Sequence, residues 1–255
     1  ACAMEMYEEG IIPESDIGQP LKFGDADGMI TCLKMMALRE GFGDKLAEGS
    51  YALAESYGHP EYSISAKKLE FPGYDPRGSK GMGLLYATSN IGASHMAGDL
   101  AYVEVFGTPA KIDPLTIENK PQLIARYEDA FTLIDASVLC VFLDVRYVFD
   151  DDVMLWPTRL TELMNLTTGA DYTPKTIMQA AERVYNLERM FLLESGITKE
   201  DDTLPKRMLE EPLTEGPAAG HVVELDEMLP LFYKARGWDE NGVPTQEKLQ
   251  ELGLA

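Results

Sequence analysis

Cysteine is scarce in this chain of 255 residues, with only Cys2, Cys32 and Cys140. An odd number of cysteines, widely separated, argues against a disulfide scaffold and favours a reducing compartment, so we expect a cytoplasmic location. Paired C-x-x-C spacing is also lacking, which excludes a zinc or iron–sulfur site built from this chain alone. Any metal cluster that the chain contacts must take its other ligands from elsewhere.

Long apolar runs and basic residues are also in short supply. No run approaches the roughly 18 to 20 apolar residues that cross a bilayer, and no secretory signal is visible. Lysine and arginine number 22 against 43 acidic residues, which gives a formal charge of −21. Binding to phosphates needs clustered basic side chains. The composition therefore predicts neither a membrane nor a nucleic-acid partner.

Apolar residues recur at helical spacing through most of the chain. This periodicity, with Thr173 and either Asp25 or Asp27 as caps and stops at glycine, predicts a mainly helical, all-α protein. The longest helix is predicted from Thr173 to Ser195, with Phe191 on its inner face. An earlier helix after Asp25 is predicted to bury Met29, Ile30, Leu33, Met36 and Ala37.

The helical pattern is interrupted once. A single helix is predicted from about Asp44 to Tyr57, and two short extended pieces follow it. A run of turn-forming residues comes next, from Pro72 to Gly78. We therefore place a domain boundary near Ala66. Beyond it, several glycines surround a helical stretch from Met82 to Ser89, which indicates that the backbone passes close to another group.

Two local features carry residue types suited to chemistry. One is the glycine-rich segment that closes at Ser94-His95. The other is the segment from Asp135 to Cys140, at the end of an amphipathic helix. Each alone is compatible with an ordinary structural role, because a lone histidine is often a satisfied core residue and a lone cysteine a small hydrophobe. Arg77 is left open between a phosphate contact and a brace for a turn.

Several segments, taken together and in order, resemble the tungsten-containing aldehyde:ferredoxin oxidoreductases across essentially the whole chain. The segments are Arg39-Glu40-Gly41, Leu46-Ala47-Glu48-Gly49, Tyr74-Asp75-Pro76-Arg77-Gly78, Lys80-Gly81-Met82-Gly83, Tyr86-Ala87-Thr88-Ser89-Asn90 leading to His95, Asp202-Thr203-Leu204-Pro205-Lys206-Arg207 and Arg236-Gly237-Trp238-Asp239. The resemblance implies that residues 1–66 are the remainder of the family's helical domain 2 and that residues 67–255 are helical domain 3. It also implies that the family's N-terminal β-rich domain is not part of this chain.

The family's C-terminal cofactor motif, D-x-x-G-x-C, falls on Asp135 to Cys140. By resemblance, Asp135 hydrogen-bonds a pterin of a tungsten-bis-pterin cofactor and Leu139 belongs to the same motif. Cys140 is then the last thiolate ligand of a [4Fe-4S] cluster. Val138 departs from the pattern, because the family commonly has glycine there. His95 matches a histidine beside the tungsten, and its imidazole suits proton transfer near neutrality.

The implied activity is the oxidation of aldehydes to carboxylic acids, with ferredoxin or a similar carrier as electron acceptor. The remaining cluster cysteines and the first pterin motif would lie before Ala1, so we expect the missing N-terminal part of the same enzyme as a partner and little activity from these residues alone. A homo-oligomer is compatible with this picture. Two alternatives stay open. One is another low-potential reaction on the same scaffold, such as the reduction of carboxylic acids or aromatic thioesters, and the other is a non-catalytic subunit that retains the fold.

Overall fold

A computed structural model describes residues 1–142, 149–150 and 152–255, and these residues form two compact units. The first unit is Ala1–Glu70 and the second is Phe71–Ala255. Helices dominate both, so the prediction of a mainly helical protein is confirmed. The assignment of the units to the family's domains 2 and 3, with a boundary near Ala66, stays a prediction. No helix in the described ranges is long and apolar enough to cross a membrane.

The first unit consists of short helices and one hairpin. The elements are α1 (Cys2–Glu8), α2 (Glu14–Ile17), α3 (Ala26–Leu38), α4 (Phe42–Leu46), α5 (Ser50–Ser56), β1 (Ser65–Ala66) and β2 (Leu69–Glu70). The two strands pair antiparallel, with Ala66 opposite Leu69. Asp25 caps α3 by accepting a hydrogen bond from the backbone N–H of Gly28, as its position in the sequence predicts.

The predicted single helix over 44–57 is wrong, because the chain forms two helices, α4 and α5. Gly49 separates them with a φ of +91°, a backbone conformation that side chains with a Cβ rarely adopt. At Gly43 a Cβ would lie only 2.1 Å from the backbone carbon of Met35. Helix α4 therefore approaches the backbone of α3 so closely that only glycine fits at this position.

The predicted buried face of α3 is also wrong in part. Met29, Ile30 and Leu33 are 47%, 45% and 54% exposed. The helix instead turns Cys32 into a core that includes Met6, Ile12, Ile17, Leu21, Phe42, Leu53 and Ala54. Apolar spacing marks an amphipathic helix, but only the packing against α4 decides which side is covered.

The second unit contains the longer helices. They are α6 (Lys80–Thr88), α7 (Ala101–Glu104), α8 (Lys120–Ala136), α9 (Thr158–Thr168), α10 (Pro174–Glu194), α11 (Lys206–Glu210), α12 (Leu225–Arg236) and α13 (Gln246–Leu252). Helix α8 lies at the centre and packs against α6, α10 and α12. Thr173 caps α10 as predicted, but Phe191 is 68% exposed rather than buried, because it lies one turn after the exposed Leu187 on the outer face of the helix, whereas Arg189 on the inner face is fully buried.

The glycines of α6 permit the close packing that their density predicts. A Cβ on Gly81 would lie 2.2 Å from Leu100 Cδ2 and 2.8 Å from Glu104 Oε1. A Cβ on Gly83 would lie 2.8 Å from Val223 Cγ1. Every residue of α6 is buried, so this helix is enclosed on all sides by its own unit.

Buried charges link α8 to the C-terminal helices. The guanidinium of Arg236, 1% exposed, donates to Glu128 Oε2 at 2.7 Å and also pairs with Asp129. It lies 3.9 Å from the ring centroid of Tyr185 on α10. Arg189 on α10 similarly makes a two-pronged ion pair with Asp202 at 2.7 and 3.0 Å. Each of these buried charges therefore has a partner of opposite charge, which offsets the cost of removing it from water.

Candidate active-site wall

His95 begins a short 3-10 turn, His95–Ala97, after the buried helix α6. The side chain of Ser94 caps this turn by accepting a hydrogen bond from the N–H of Met96. The imidazole is half-buried, and the ring of Tyr74 meets it edge-on with ring centroids 5.6 Å apart. The turn thus holds the imidazole at the edge of the core, where one side of the ring is accessible to solvent or to a small molecule.

A cavity of about 310 Å³ opens at His95. Its other lining residues are Tyr74, Met96, Asp99, Tyr102, Phe106, Phe131, Val141 and Phe142. Val141 and Phe142 directly follow Cys140 in the chain. The fold therefore brings the segment after Cys140 to the same cavity as His95, although 45 residues separate them in sequence.

Asp99 is an ionisable group in this cavity that the sequence did not single out. It is only 6% exposed, and its Oδ1 accepts a hydrogen bond from the N–H of Ala101 at 3.0 Å. Burial raises the pKa of Asp99 above its ordinary value, and the hydrogen bond and the nearby His95 act in the opposite direction. For Tyr74 the sequence likewise predicted no role beyond its place in the segment Tyr74 to Gly78. Neither residue has a local sequence signal for its place beside His95.

Asp135 lies in the last turn of α8 and lines a second cavity, of about 300 Å³. Phe131, one turn earlier, lines both cavities, so the two lie next to each other. Partial desolvation raises the pKa of Asp135. The side-chain nitrogen of Asn90 in the same wall donates to Tyr185 O and Glu188 Oε2, whereas its buried Oδ1 has no hydrogen-bond donor among the described residues.

The chain leaves α8 through Ser137, whose hydroxyl donates to the carbonyl of Leu133 at 2.7 Å. Val138 follows with a φ of +58° and is 92% exposed. Such a backbone conformation is costly for a β-branched residue, and glycine adopts it freely. A glycine, which the resemblance implies for this position, would adopt this backbone without strain. Leu139 is half-buried and Cys140 is exposed, which leaves its sulfur accessible.

Arg77 can now be assigned a local role. Its guanidinium pairs with Asp75, and its Nη1 donates to the carbonyl of Glu211 at 2.8 Å. It therefore braces the turn before α6. Cys32 is buried as expected, while Cys2 is only half-buried. His59 precedes a short 3-10 turn, Pro60–Tyr62, without a side-chain capping hydrogen bond, and its Nδ1 lies 2.9 Å from Glu61 Oε1 at the surface.

A family model described as aldehyde ferredoxin oxidoreductase, domains 2 and 3, matches residues 1–254. The chain belongs to this family. It is 46% identical to the tungsten-containing aldehyde ferredoxin oxidoreductase of Pyrococcus furiosus and 44% identical to that of Thermococcus kodakarensis. Both matches cover 100% of this chain and 42% of the relative. The chain thus spans less than half the length of these aldehyde ferredoxin oxidoreductases.

More distant relatives share the scaffold. The aliphatic sulfonate oxidoreductase, WOR-like subunit, of Pyrococcus furiosus is 26% identical over 99% of the chain. Among solved structures, the active-site complex BamBC of benzoyl coenzyme A reductase, in complex with a dienoyl-CoA, superposes with a TM-score of 0.73 at 22% identity, over 99% of this chain and 42% of that one. This likeness shows that the two chains share a fold.

The wall around Asp135 fits a pterin. A pterin edge carries several N–H donors, and the wall offers an acceptor carboxylate at Asp135 and an unpaired amide oxygen at Asn90. For an iron–sulfur cluster the described residues supply the exposed thiol of Cys140. No group of three His, Cys, Asp or Glu residues in the described ranges could hold a metal ion by itself. Any metal centre bound through Cys140 would therefore need ligands from outside these residues.

Proposed function

We propose that this chain forms part of an enzyme that oxidises aldehydes to carboxylic acids, with a tungsten-bis-pterin cofactor and a [4Fe-4S] cluster. The observation that carries the proposal is the ordered match over the whole chain to tungsten-containing aldehyde ferredoxin oxidoreductases, at 44% to 46% identity. The cavity at His95 and the wall at Asp135 supply the side chains that such a site would need.

In this proposal each residue has one task. Asp135 accepts hydrogen bonds from a pterin, and Leu139 holds the chain beside it. Cys140 provides a thiolate to the cluster, and its exposure is what a ligand in a shared site requires. When bound, the tungsten centre supplies the capacity to take up two electrons from the aldehyde.

His95 is the proposed catalytic residue. Oxidation of an aldehyde with water gives a carboxylic acid, two protons and two electrons. A cluster held in part by Cys140 would supply the route for these electrons to ferredoxin or a similar carrier. A half-buried imidazole at an open cavity can accept a proton from the reacting water and release it again near neutral pH. The apolar residues Phe106 and Phe142 in the same cavity suit the carbon chain of an aldehyde.

The proposed partners follow from the reaction. Besides the aldehyde and ferredoxin, they include the remainder of the enzyme, which must supply the other cluster thiolates and a second wall for the pterins. We propose a cytoplasmic location, where a reduced ferredoxin pool and free thiols coexist. Self-association into a homo-oligomer is part of the same proposal.

The test is metal analysis of the intact protein together with Cys140→Ser. We expect tungsten and iron in the parent protein and a loss of most cluster iron in the variant. Cys2→Ser is the matched control, because Cys2 is half-buried and lies in the other compact unit, and it should retain iron. A parent protein without tungsten, molybdenum and iron would exclude the proposal, and full iron in Cys140→Ser would exclude the assigned ligand.

Substrate profiling separates the reactions that share this scaffold. We expect electron transfer to ferredoxin with aliphatic or aromatic aldehydes as donors. Inactivity with all aldehydes, combined with reduction of carboxylic acids or aromatic thioesters by reduced ferredoxin, would move the protein to the alternative reaction class. A protein that carries no cofactor and reacts with none of these would be the non-catalytic subunit.

A further inference from the structure

We propose that Asp99 is the proton-exchange partner of His95, taking up the proton that the imidazole releases during turnover. This inference deepens the proposed function and rests on it, because it assigns the next group along the path of the proton. Asp99 acts through His95 and is a positioning and relay residue, not one that touches substrate.

The backbone fixes the relative position of the two residues. The chain runs through the turn His95–Ala97 and then through Gly98, whose φ is +157°. A Cβ on Gly98 would lie 3.2 Å from both Glu128 N and Leu85 Cδ1, so this turn is packed tightly against α6 and α8. The hydrogen bond from the N–H of Ala101 then holds the carboxyl group of Asp99. A short, packed turn therefore sends both side chains to one cavity.

His95 and Asp99 line the same cavity, and the buried phenols of Tyr86 on α6 and Tyr127 on α8 also couple electrostatically with Asp99. The titratable groups that line the cavity are His95, Asp99 and the phenols of Tyr74 and Tyr102. No lysine or arginine is among the lining residues that the structure describes. Of these groups, the imidazole is the one that can carry a positive charge. A buried carboxylate without a fixed cation is costly, and a proton carried by His95 relieves that cost.

The proposed step conserves atoms and charge. The imidazolium of His95 gives its N–H proton to the carboxylate of Asp99, which leaves a neutral imidazole and a neutral carboxylic acid. A cavity of about 310 Å³ is large enough for water to bridge the two groups. Asp99 then loses the proton to solvent, and the imidazole is ready to accept the next one. The carboxyl group can hold this proton because burial favours its neutral form.

The first experiment follows the carboxyl group itself in the intact protein. Infrared difference spectra between pH values detect the C=O stretch of a protonated carboxyl, and the band of Asp99 should titrate above the ordinary range for aspartate. Asp99→Asn should abolish this band. Asp113→Asn is the matched control, because Asp113 also accepts a hydrogen bond from the N–H two residues later but lies at the surface. The control should leave the band unchanged.

The second experiment tests the coupling without altering Asp99. His95→Gln removes the cation that opposes protonation of the carboxyl group, so the midpoint of the Asp99 band should move to higher pH. This readout needs neither substrate nor turnover. An unchanged midpoint in His95→Gln, or a band that persists in Asp99→Asn, would overturn the proposal.

Turnover provides the third readout. In Asp99→Asn we expect kcat to fall about a hundredfold with KM little changed, and the pH profile of kcat to lose one limb, since positioned proton transfer contributes about a hundredfold or more. A purely structural role would lower the amount of folded enzyme and leave the profile unchanged, which would refute the relay. If the parent protein proves inactive with aldehydes but the infrared coupling is found, the proposed function fails while the pairing of Asp99 with His95 stands.

Discussion

Arg236 offers the sharpest test of how the second unit is held together. Its guanidinium is 1% exposed and pairs with Glu128 and Asp129 on α8, whose side chains are 0% and 13% exposed. It also lies over the ring of Tyr185. Arg236→Met removes the charge and keeps much of the volume, so two carboxylates on α8 lose their counter-charge inside the unit.

The expected cost is about 3–5 kcal/mol, the range for removal of one partner from a buried ion pair. Most of this cost is the desolvation of Glu128 and Asp129, which Arg236 no longer offsets. As a control we choose Arg207→Met in the same unit, whose side chain is 30% exposed and whose contact with the exposed Glu211 is 3.9 Å long. Exposed pairs contribute about 0–1 kcal/mol, so the control should have little effect.

Hydrogen exchange of peptides from α8 in the intact protein is the appropriate assay, because it reports local opening without requiring two-state unfolding of a large protein. A loss of 3–5 kcal/mol corresponds to exchange about a hundredfold to a few thousandfold faster, at about 1.4 kcal/mol for each factor of ten. If Arg236→Met accelerates exchange in α8 no more than Arg207→Met does, the ion pairs do not hold this helix.

The effect should also depend on pH. Burial raises the pKa of Glu128 and raises that of Asp129 to about 6, and Arg236 opposes both shifts. A carboxyl group whose folded pKa is raised contributes most stability when protonated, and that contribution is lost as pH rises through about 6. Without Arg236 both pKa values rise further. The difference between variant and parent should therefore be larger at pH 8 than at pH 5, and equal differences would contradict this explanation.

Three further changes test local features by thermal unfolding. Gly81→Ala places a methyl group against Leu100 and should cost about 1–3 kcal/mol, whereas Gly73→Ala, with open space around it, should be close to neutral. Val138→Gly should raise stability by about 1 kcal/mol, because it relieves a positive φ at the end of α8, and a fall would show that Val138 makes contacts that offset the strain. Thr173→Ala should cost about 1 kcal/mol through loss of the α10 cap, with Thr173→Ser as the conservative control.

Local sequence signals predicted the helices more reliably than their buried faces. The caps at Asp25 and Thr173 predicted where α3 and α10 begin, because a cap involves atoms only a few residues apart. Ile30 and Phe191 were predicted to be buried, but both are exposed. Periodicity alone does not tell which neighbour a helix packs against. The break at Gly49 was missed because glycine within an apolar pattern is compatible with either a helix or a turn.

For the candidate site, motif and spacing singled out His95, Asp135 and Cys140, and their roles stay predictions. By itself the sequence determined the family, the mainly helical class and these residue types, because such properties depend on local spacing and on the order of short motifs along the chain. Only the tertiary structure placed Asp99 and Tyr74 beside His95 and buried the ion pairs of α8. Burial and proximity depend on which distant segments pack together, and no local pattern encodes that choice.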